Sequence, residues 1–201
     1  SFNILKIENS LKEIHNVKML LSCSDILFPI ELSIACKKRK IIVLEDCAHA
    51  LGTYFKGVHA GNFGISGSFS FYPTKQITTG EGGIVITNNE KFYKKIKKLK
   101  AFGIDKDIKD RKKQGDYDVK SLGFNYRMTD FQAALGYCQI INYHKNLKLR
   151  HFIAKRYIKN FSKIDKITYM PHSNNSSFFV FQIFCKNRDI LLKNLKKNKI
   201  G

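Results

Sequence analysis

The feature that most constrains the fold is the continuous apolar run Ile-Ile-Val-Leu at residues 41–44. A short, largely β-branched run without alternation is typical of a strand buried on both faces of a parallel sheet. Apolar residues at helical spacing precede it at residues 29–38, and further strand-like segments follow at residues 64–72 and 84–87. Because strands and helices alternate along the chain, the sequence predicts an α/β layer fold.

The remaining segments continue this alternation, and beyond about residue 163 two strand-like segments precede a basic helix. Strands are predicted at residues 17–22, 167–170 and 178–184, and helices at residues 4–14, 90–100, 129–141, 147–161 and 189–197. The charged stretch 105–120 contains Gly115 and is expected to be a surface loop. We therefore predict a partial large domain at residues 1–162 and the beginning of a small α+β domain at residues 163–201.

The formal charge of +20 at pH 7 raises the question of a nucleic-acid partner. The basic residues cluster at residues 37–40, 94–98 and 193–199, beside apolar residues at helical spacing and without an interleaved aromatic stripe. This arrangement is typical of solvated helix faces, so we predict no nucleic-acid partner. The same positive field would draw in an anionic substrate.

Hydropathy and cysteine usage bear on the compartment. No apolar run approaches the roughly 20 residues that span a bilayer, and no leader with a cleavage site opens the sequence. The five cysteines form an odd set without a Cys-x-x-Cys pair, which argues against a disulfide framework and against a structural zinc. We expect a cytoplasmic protein with reduced thiols, no metal and no membrane partner.

Two short segments carry residue types that support chemistry, and each leaves an alternative open. In Leu-Glu-Asp-Cys-Ala-His-Ala at residues 44–50, acidic residues follow a buried strand, where ligands bind in parallel α/β sheets. Asp46 would contact a metal, a ribose or a protonated ring nitrogen, or it would cap a following helix. In Ser-Phe-Tyr-Pro-Thr-Lys at residues 70–75, Lys75 would attack a carbonyl from a pocket, or it is one more surface lysine in a lysine-rich chain.

A third segment, Gly-Phe-Asn-Tyr-Arg-Met-Thr-Asp at residues 123–130, leads into a predicted helix. Asn125 and Arg127 would bind a phosphate or a carboxylate, while Thr129 fits an ordinary helix N-cap. Together with Thr-Thr-Gly-Glu-Gly-Gly and Gln-Ala-Ala-Leu-Gly between and after them, the ordered segments resemble the DegT-type sugar aminotransferases over nearly the whole chain. These enzymes belong to the fold type I pyridoxal-phosphate class, so the resemblance implies a three-layer α/β fold.

The resemblance also implies a role for each candidate residue. Asp46 would pair with the pyridine nitrogen of pyridoxal 5'-phosphate, His49 would lie beside its phenolic oxygen, and Ser70 would bind its phosphate. Lys75 would hold the cofactor as a Schiff base and move the proton during catalysis. Asn125 would reach the cofactor phosphate of the neighbouring subunit, which implies a homodimer. The implied reaction moves an amino group from glutamate to a nucleotide-linked keto-deoxysugar, whose products feed surface polysaccharides or glycosylated metabolites.

Departures from the family pattern leave the substrate open. Relatives extend beyond both ends, so we expect a phosphate-binding Ser-Gly-Thr loop and a stacking aromatic residue to be missing, and this chain by itself to bind the cofactor poorly. A truncated or degenerate member that acts as a binding or regulatory protein is therefore an alternative. Residues 20–25 lack the usual His-x-x-Gly pattern, and Tyr72 stands where histidine or asparagine is frequent. A dehydrating relative is disfavoured, because such members carry histidine in place of Lys75.

Overall fold

A computed structural model of the chain describes residues 19–22, 29–170 and 174–200, and the structural statements below concern these residues. The helix predicted at residues 4–14 and the start of the strand predicted at residues 17–22 lie outside them. No helix within the described ranges combines the length and the apolar content that crossing a bilayer requires.

The described residues have the predicted mixed α/β content, although no helix separates the five strands between Val43 and Ile86. The strands are β1 (Met19–Ser22), β2 (Val43–Asp46), β3 (Tyr54–Phe55), β4 (Val58–His59), β5 (Ser66–Ser70), β6 (Gly83–Ile86), β7 (Thr168–Tyr169) and β8 (Ile183–Phe184). The helices are α1 (Pro29–Lys38), α2 (Glu90–Leu99), α3 (Asp130–Ile140), α4 (Tyr143–Phe161) and α5 (Arg188–Lys197).

A four-stranded sheet with the order β1-β2-β5-β6 positions the candidate site. Strands β1, β2 and β5 run parallel, whereas β6 is antiparallel to β5. In the register of the sheet, Asp46 pairs with Ser22 on one side and with Ser68 on the other. The carboxyl ends of three neighbouring strands therefore meet at one edge, where α/β proteins bind ligands.

The buried core lies between α1 and the sheet. It is formed by small and apolar residues whose side chains are almost fully covered: Ala35, Cys36, Val43, Cys47, Ala50, Ala60 and Phe69. Burial raises the pKa of the Cys36 thiol above its usual value. Cys36, Cys47, Cys138 and Cys185 are free thiols, in agreement with the sequence prediction for these residues.

The bounds of most predicted strands shift in the structure, and two of the shifts have a clear physical reason. The strand predicted at residues 41–44 begins at Val43 and continues through Asp46, because main-chain pairing with both neighbours extends beyond the apolar run. The strand predicted at residues 178–184 is reduced to β8, which pairs with β7. Phe178 has a φ of 46°, and this left-handed conformation is incompatible with an extended strand.

Helix α3 begins as predicted but contacts the molecule through a different face. Thr129 caps it in a capping box with Gln132. Helical spacing predicts an apolar stripe of Phe131, Ala134, Leu135 and Cys138, but these residues are solvent-exposed, and Phe131 retains 82% of its accessible surface. Contact comes instead from Gln132, which donates to the Glu81 carbonyl at 2.9 Å, and from Gln139, which accepts from the Thr78 amide at 3.0 Å. Polar pairing with the turn before β6 therefore orients this helix.

The predicted surface loop at residues 105–120 is held by carboxylate contacts. Asp116 accepts from the Lys106 ammonium at 2.7 Å and from the Lys112 amide at 3.0 Å. The Lys106 hydrogen bond lowers the pKa of the Asp116 carboxyl, and the same contact raises the pKa of Lys106. A single 3-10 turn, Ile108–Asp110, interrupts the loop.

Candidate active site

Asp46 is the last residue of β2 and lies at the carboxyl edge of the sheet. Its Oδ1 accepts a hydrogen bond from the Ala48 amide at 3.0 Å, which orients the carboxylate. Residues 47–53 form turns, so the alternative that Asp46 caps a helix is wrong. The local structure leaves this carboxylate at the end of a strand, where a ligand group would meet it.

Ser70 ends the neighbouring strand β5 and shares a cleft with Asp46. The cleft has a volume of 410 Å³, and the residues that line it include Asp46, Ser70, Ser68 and Val85. This volume lies within the range of roughly 300–1,000 Å³ that small-molecule sites occupy. The Ser70 hydroxyl oxygen accepts from the Tyr72 amide at 3.3 Å. The structure thus brings together two of the residues singled out in the sequence.

Lys75 follows Ser70 by one hydrogen-bonded turn. Its amide donates to the Tyr72 carbonyl at 2.9 Å, so Tyr72 is bonded to both residues. The Lys75 side chain is half-buried, and its Nζ lies 5.2 Å from the centroid of the Phe179 ring. This position differs from that of a freely solvated surface lysine.

His49 contacts the same aromatic ring as Lys75. Its imidazole stacks on Phe179, with 4.2 Å between the ring centroids and 22° between the planes. The His49 carbonyl accepts from Gln76 Nε2 and from Ser177 Oγ, both at 2.9 Å. Phe179 therefore brings His49 and Lys75 together, although their backbone segments follow different strands.

Within the single chain, Asn125 does not contact Asp46, His49, Ser70 or Lys75 in the hydrogen bonds described. Its backbone forms an isolated bridge with Ala101, and its exposed side-chain oxygen accepts from Arg127 Nε at 3.3 Å. The segment that carries Asn125 approaches the turn before β6 through Met128, which would contact a Cβ placed on Gly82. Gly82 has a φ of 150°, and a Cβ there would collide with Thr79 Oγ1, so both the conformation and this contact favour glycine.

Sequence reasoning missed Glu45 and Phe179. The Glu45 carboxylate is 1% exposed and accepts backbone hydrogen bonds from Gly61, Phe63 and Gly64 at 2.6–2.7 Å. A signal for Glu45 existed, because an acid inside a buried strand requires hydrogen-bond partners. Phe179 gave no such signal, since an aromatic residue in a predicted strand is ordinary.

The fold defines the class of protein. The described chain is similar to the solved structure of Helicobacter pylori PseC, an aminotransferase involved in the biosynthesis of pseudoaminic acid, with a TM-score of 0.78 and 26% sequence identity. The similarity covers 94% of this chain and 51% of that protein. It confirms the prediction of a partial fold type I architecture, the class of the pyridoxal-phosphate transferases.

The sequence specifies the family within this class. A model of the DegT/DnrJ/EryC1/StrS aminotransferase family matches residues 7–201. The chain therefore belongs to this family, and the resemblance found in the ordered motifs is confirmed.

Two curated relatives show how much of such a protein the chain represents. It is 41% identical over 133 residues to the UDP-4-amino-4,6-dideoxy-N-acetyl-beta-L-altrosamine transaminase of Campylobacter jejuni, which covers 66% of this chain and 34% of that protein. It is 36% identical over 162 residues to the GDP-perosamine synthase of Escherichia coli O157:H7, which covers 81% of this chain and 42% of that protein. The chain thus matches less than half the length of either relative.

Proposed function

We propose that the full-length protein is a cytoplasmic, homodimeric aminotransferase that uses pyridoxal phosphate and glutamate to aminate a nucleotide-linked keto-deoxysugar. The observation that carries the proposal is the position of Lys75. This half-buried residue lies one hydrogen-bonded turn after Ser70, and Ser70 lines the same cleft as Asp46. Family membership supports the reaction type. The names of the two curated relatives, which refer to a UDP-linked and a GDP-linked sugar, support the substrate class.

The functional groups of Asp46, Ser70 and Lys75 fit pyridoxal phosphate. A carboxylate oriented by the Ala48 amide suits a protonated ring nitrogen, and a half-buried amine suits an aldehyde. The Ser70 oxygen accepts from a backbone amide, so its O–H remains as a donor for a phosphate oxygen. When bound, this cofactor supplies an electron sink for the charge that develops at the α-carbon of the amino donor.

The chain's own residues would bind, orient and move protons. The negative charge of Asp46 would hold a proton on the ring nitrogen through a charge-assisted hydrogen bond, worth about 1.5–3 kcal/mol. Lys75 would take the proton from the α-carbon of the amino donor and deliver it to the C4′ carbon of the cofactor, since a single flexible amine reaches both positions. His49 is held by hydrogen bonds to its carbonyl and by stacking on its ring, which would fix its imidazole beside the cofactor's phenolic oxygen.

Exposed apolar residues near Asn125 support the proposed homodimer. Leu122, Tyr126 and Phe131 retain 80%, 73% and 82% of their accessible surface. Three large apolar side chains exposed within residues 122–131 favour a subunit interface at this segment. Asn125 would then contribute its amide to the site of the partner subunit, where a phosphate oxygen would accept from it.

Adding glutamate to the full-length protein loaded with pyridoxal phosphate is the direct test. We expect an absorbance band near the visible edge that disappears on addition of glutamate, because the amino group passes to the cofactor. Alanine and aspartate serve as control donors. Absence of the band in the full-length protein would refute the proposed enzyme, whereas a response to alanine alone would refute only the choice of glutamate.

Mixing inactive subunits tests the shared site. Lys75→Ala and Asn125→Ala homodimers should each have little activity, since every site lacks one residue. Random reassociation at equal amounts makes half of the dimers mixed, and one of the two sites in each is intact, so about a quarter of the wild-type activity should return. No recovery after verified subunit exchange would show that Asn125 does not act across the dimer.

A further inference from the structure

Residues 176–179, which follow the large domain, are fixed where they pass the candidate site. Ser177 Oγ donates to the His49 carbonyl at 2.9 Å and accepts from Gln76 Nε2 at 3.1 Å. The Ser177 amide donates to Thr53 Oγ1 at 3.0 Å, and Ser177 is fully buried. These bonds join the segment to the turn after β2 and to the turn that carries Lys75.

The backbone of Phe178 directs two adjacent aromatic rings to different neighbours. Phe178 has a φ of 46°, a left-handed conformation that is uncommon for a bulky residue and that surrounding contacts must maintain. Its ring packs edge-on against His151 of α4, with 5.3 Å between centroids. Arg150 of the same helix donates to the carbonyls of Phe178 at 3.1 Å and Phe179 at 3.3 Å. The next ring, that of Phe179, is thereby placed against His49 and Lys75.

Phe179 contacts both side chains that would flank the reacting end of the cofactor. Its ring stacks on the imidazole of His49 at 4.2 Å and lies 5.2 Å from Lys75 Nζ. Stacking restricts rotation of the imidazole, and the negative face of the ring attracts an ammonium group but not a neutral amine. Holding a long lysine side chain in one place costs rotamer entropy, and the attraction to the ring offsets part of this cost.

We propose that Phe179 is a positioning residue of this active site. Its ring fixes the plane of His49 and holds the Lys75 ammonium beside that imidazole until the ammonium loses its proton, after which the neutral amine leaves the ring face and reacts. This inference rests on the proposed function, because it assigns Phe179 a role through Lys75. It also predicts that loss of the ring slows attachment of the cofactor while leaving the fold intact.

The test compares variants of the full-length protein. Phe179→Leu and Phe179→Met remove the aromatic face but keep most of the volume, and Phe179→Tyr restores the ring. The matched control is Phe181→Leu, because Phe181 packs on Tyr157 and Phe161 further along α4 and on Tyr169, and not on His49 or Lys75 in the contacts described. Each protein is mixed with limiting pyridoxal phosphate and reduced with borohydride after increasing times, and the labelled lysines are quantified by mass spectrometry.

We expect the labelling rate of Lys75 to fall on the order of tenfold in Phe179→Leu and Phe179→Met, because small displacements of a reacting group have large kinetic effects. Phe179→Tyr and Phe181→Leu should remain within about twofold of the wild type. In the cofactor-free protein, both ring-less variants should also remove the ring-current shift of the His49 imidazole protons in NMR spectra.

The outcomes separate the two proposals. Suppose that Lys75 is labelled selectively in the wild type and that its labelling rate is the same in Phe179→Leu and Phe179→Met. This result would overturn the role of Phe179 and leave the proposed function standing. If many lysines of the wild type were labelled to the same extent as Lys75, the proposed function would be overturned, and this inference with it. Equal slowing in Phe181→Leu would show a general packing effect and would also overturn the positioning role.

Discussion

Replacement of Lys75 by alanine in the full-length protein is expected to abolish transamination and the absorbance band near the visible edge. Lys75 would provide both the covalent attachment of the cofactor and the base that moves the substrate proton. Proton transfer by a positioned group contributes about 10²–10⁴-fold, and the loss of attachment adds to this effect. Activity of the variant should therefore lie at the background of the assay, and an excess of free pyridoxal phosphate should not restore it.

Lys56→Ala is the matched control for this prediction. Lys56 Nζ also lies over an aromatic ring, 5.6 Å from the centroid of Phe55, but Lys56 lies in the exposed turn between β3 and β4. Its replacement removes the same charge and the same type of contact, so activity and absorbance should match those of the wild type. If Lys75→Ala retained the band, Lys75 would not be the attachment site.

The second large effect is expected for Glu45→Ala, which should destabilise the fold around β2 and β5. The Glu45 carboxylate, 1% exposed, accepts from the amides of Gly61, Phe63 and Gly64 in the turn that leads into β5. Each buried donor left without a partner costs about 1–3 kcal/mol. Allowing for partial access of water to the cavity, we expect a loss of about 3–5 kcal/mol in the free energy of unfolding. Urea unfolding monitored by circular dichroism measures this loss.

Two further variants separate the lost hydrogen bonds from the lost side-chain volume and charge. Glu45→Gln retains one acceptor oxygen but turns an NH₂ group towards an amide donor, so its loss should be about half that of Glu45→Ala. Glu81→Gln removes one negative charge at an exposed side chain and should change stability by less than about 0.5 kcal/mol. A Glu45→Ala protein with an unchanged urea midpoint would contradict the assigned role of this carboxylate.

Local sequence patterns predicted much of the fold because they record short-range physics. The helical spacing at residues 29–38 gave α1 with its bounds, and Asn89 caps α2, with its side chain accepting from the Phe92 amide at 2.9 Å. Thr129 likewise caps α3. The apolar stripe predicted for α3 did not reveal its packing, because two glutamines form its contacts with the turn before β6.

The ordered motifs predicted which residues form the candidate site but not how they are held. The strand pattern placed Asp46 just beyond a buried strand, at the ligand-binding edge of a parallel sheet, whereas the role of Ser70 came only from the family resemblance. The link between His49 and Lys75 was invisible in the sequence, because it depends on Phe179 and on a left-handed backbone at Phe178. A phenylalanine in the sequence does not indicate a left-handed backbone, because this residue type normally avoids that conformation.

The sequence by itself determined the family, the alternating α/β elements and the set of candidate residues, because these follow from apolar periodicity and from motifs of a few adjacent residues. Only the tertiary structure decided what surrounds those residues. The hydrogen bond between Gln76 and Ser177 joins positions 101 residues apart, and the partners of Glu45 lie 16–19 residues downstream. Contacts at such separations depend on how the strands and helices pack, and local patterns carry no record of that packing.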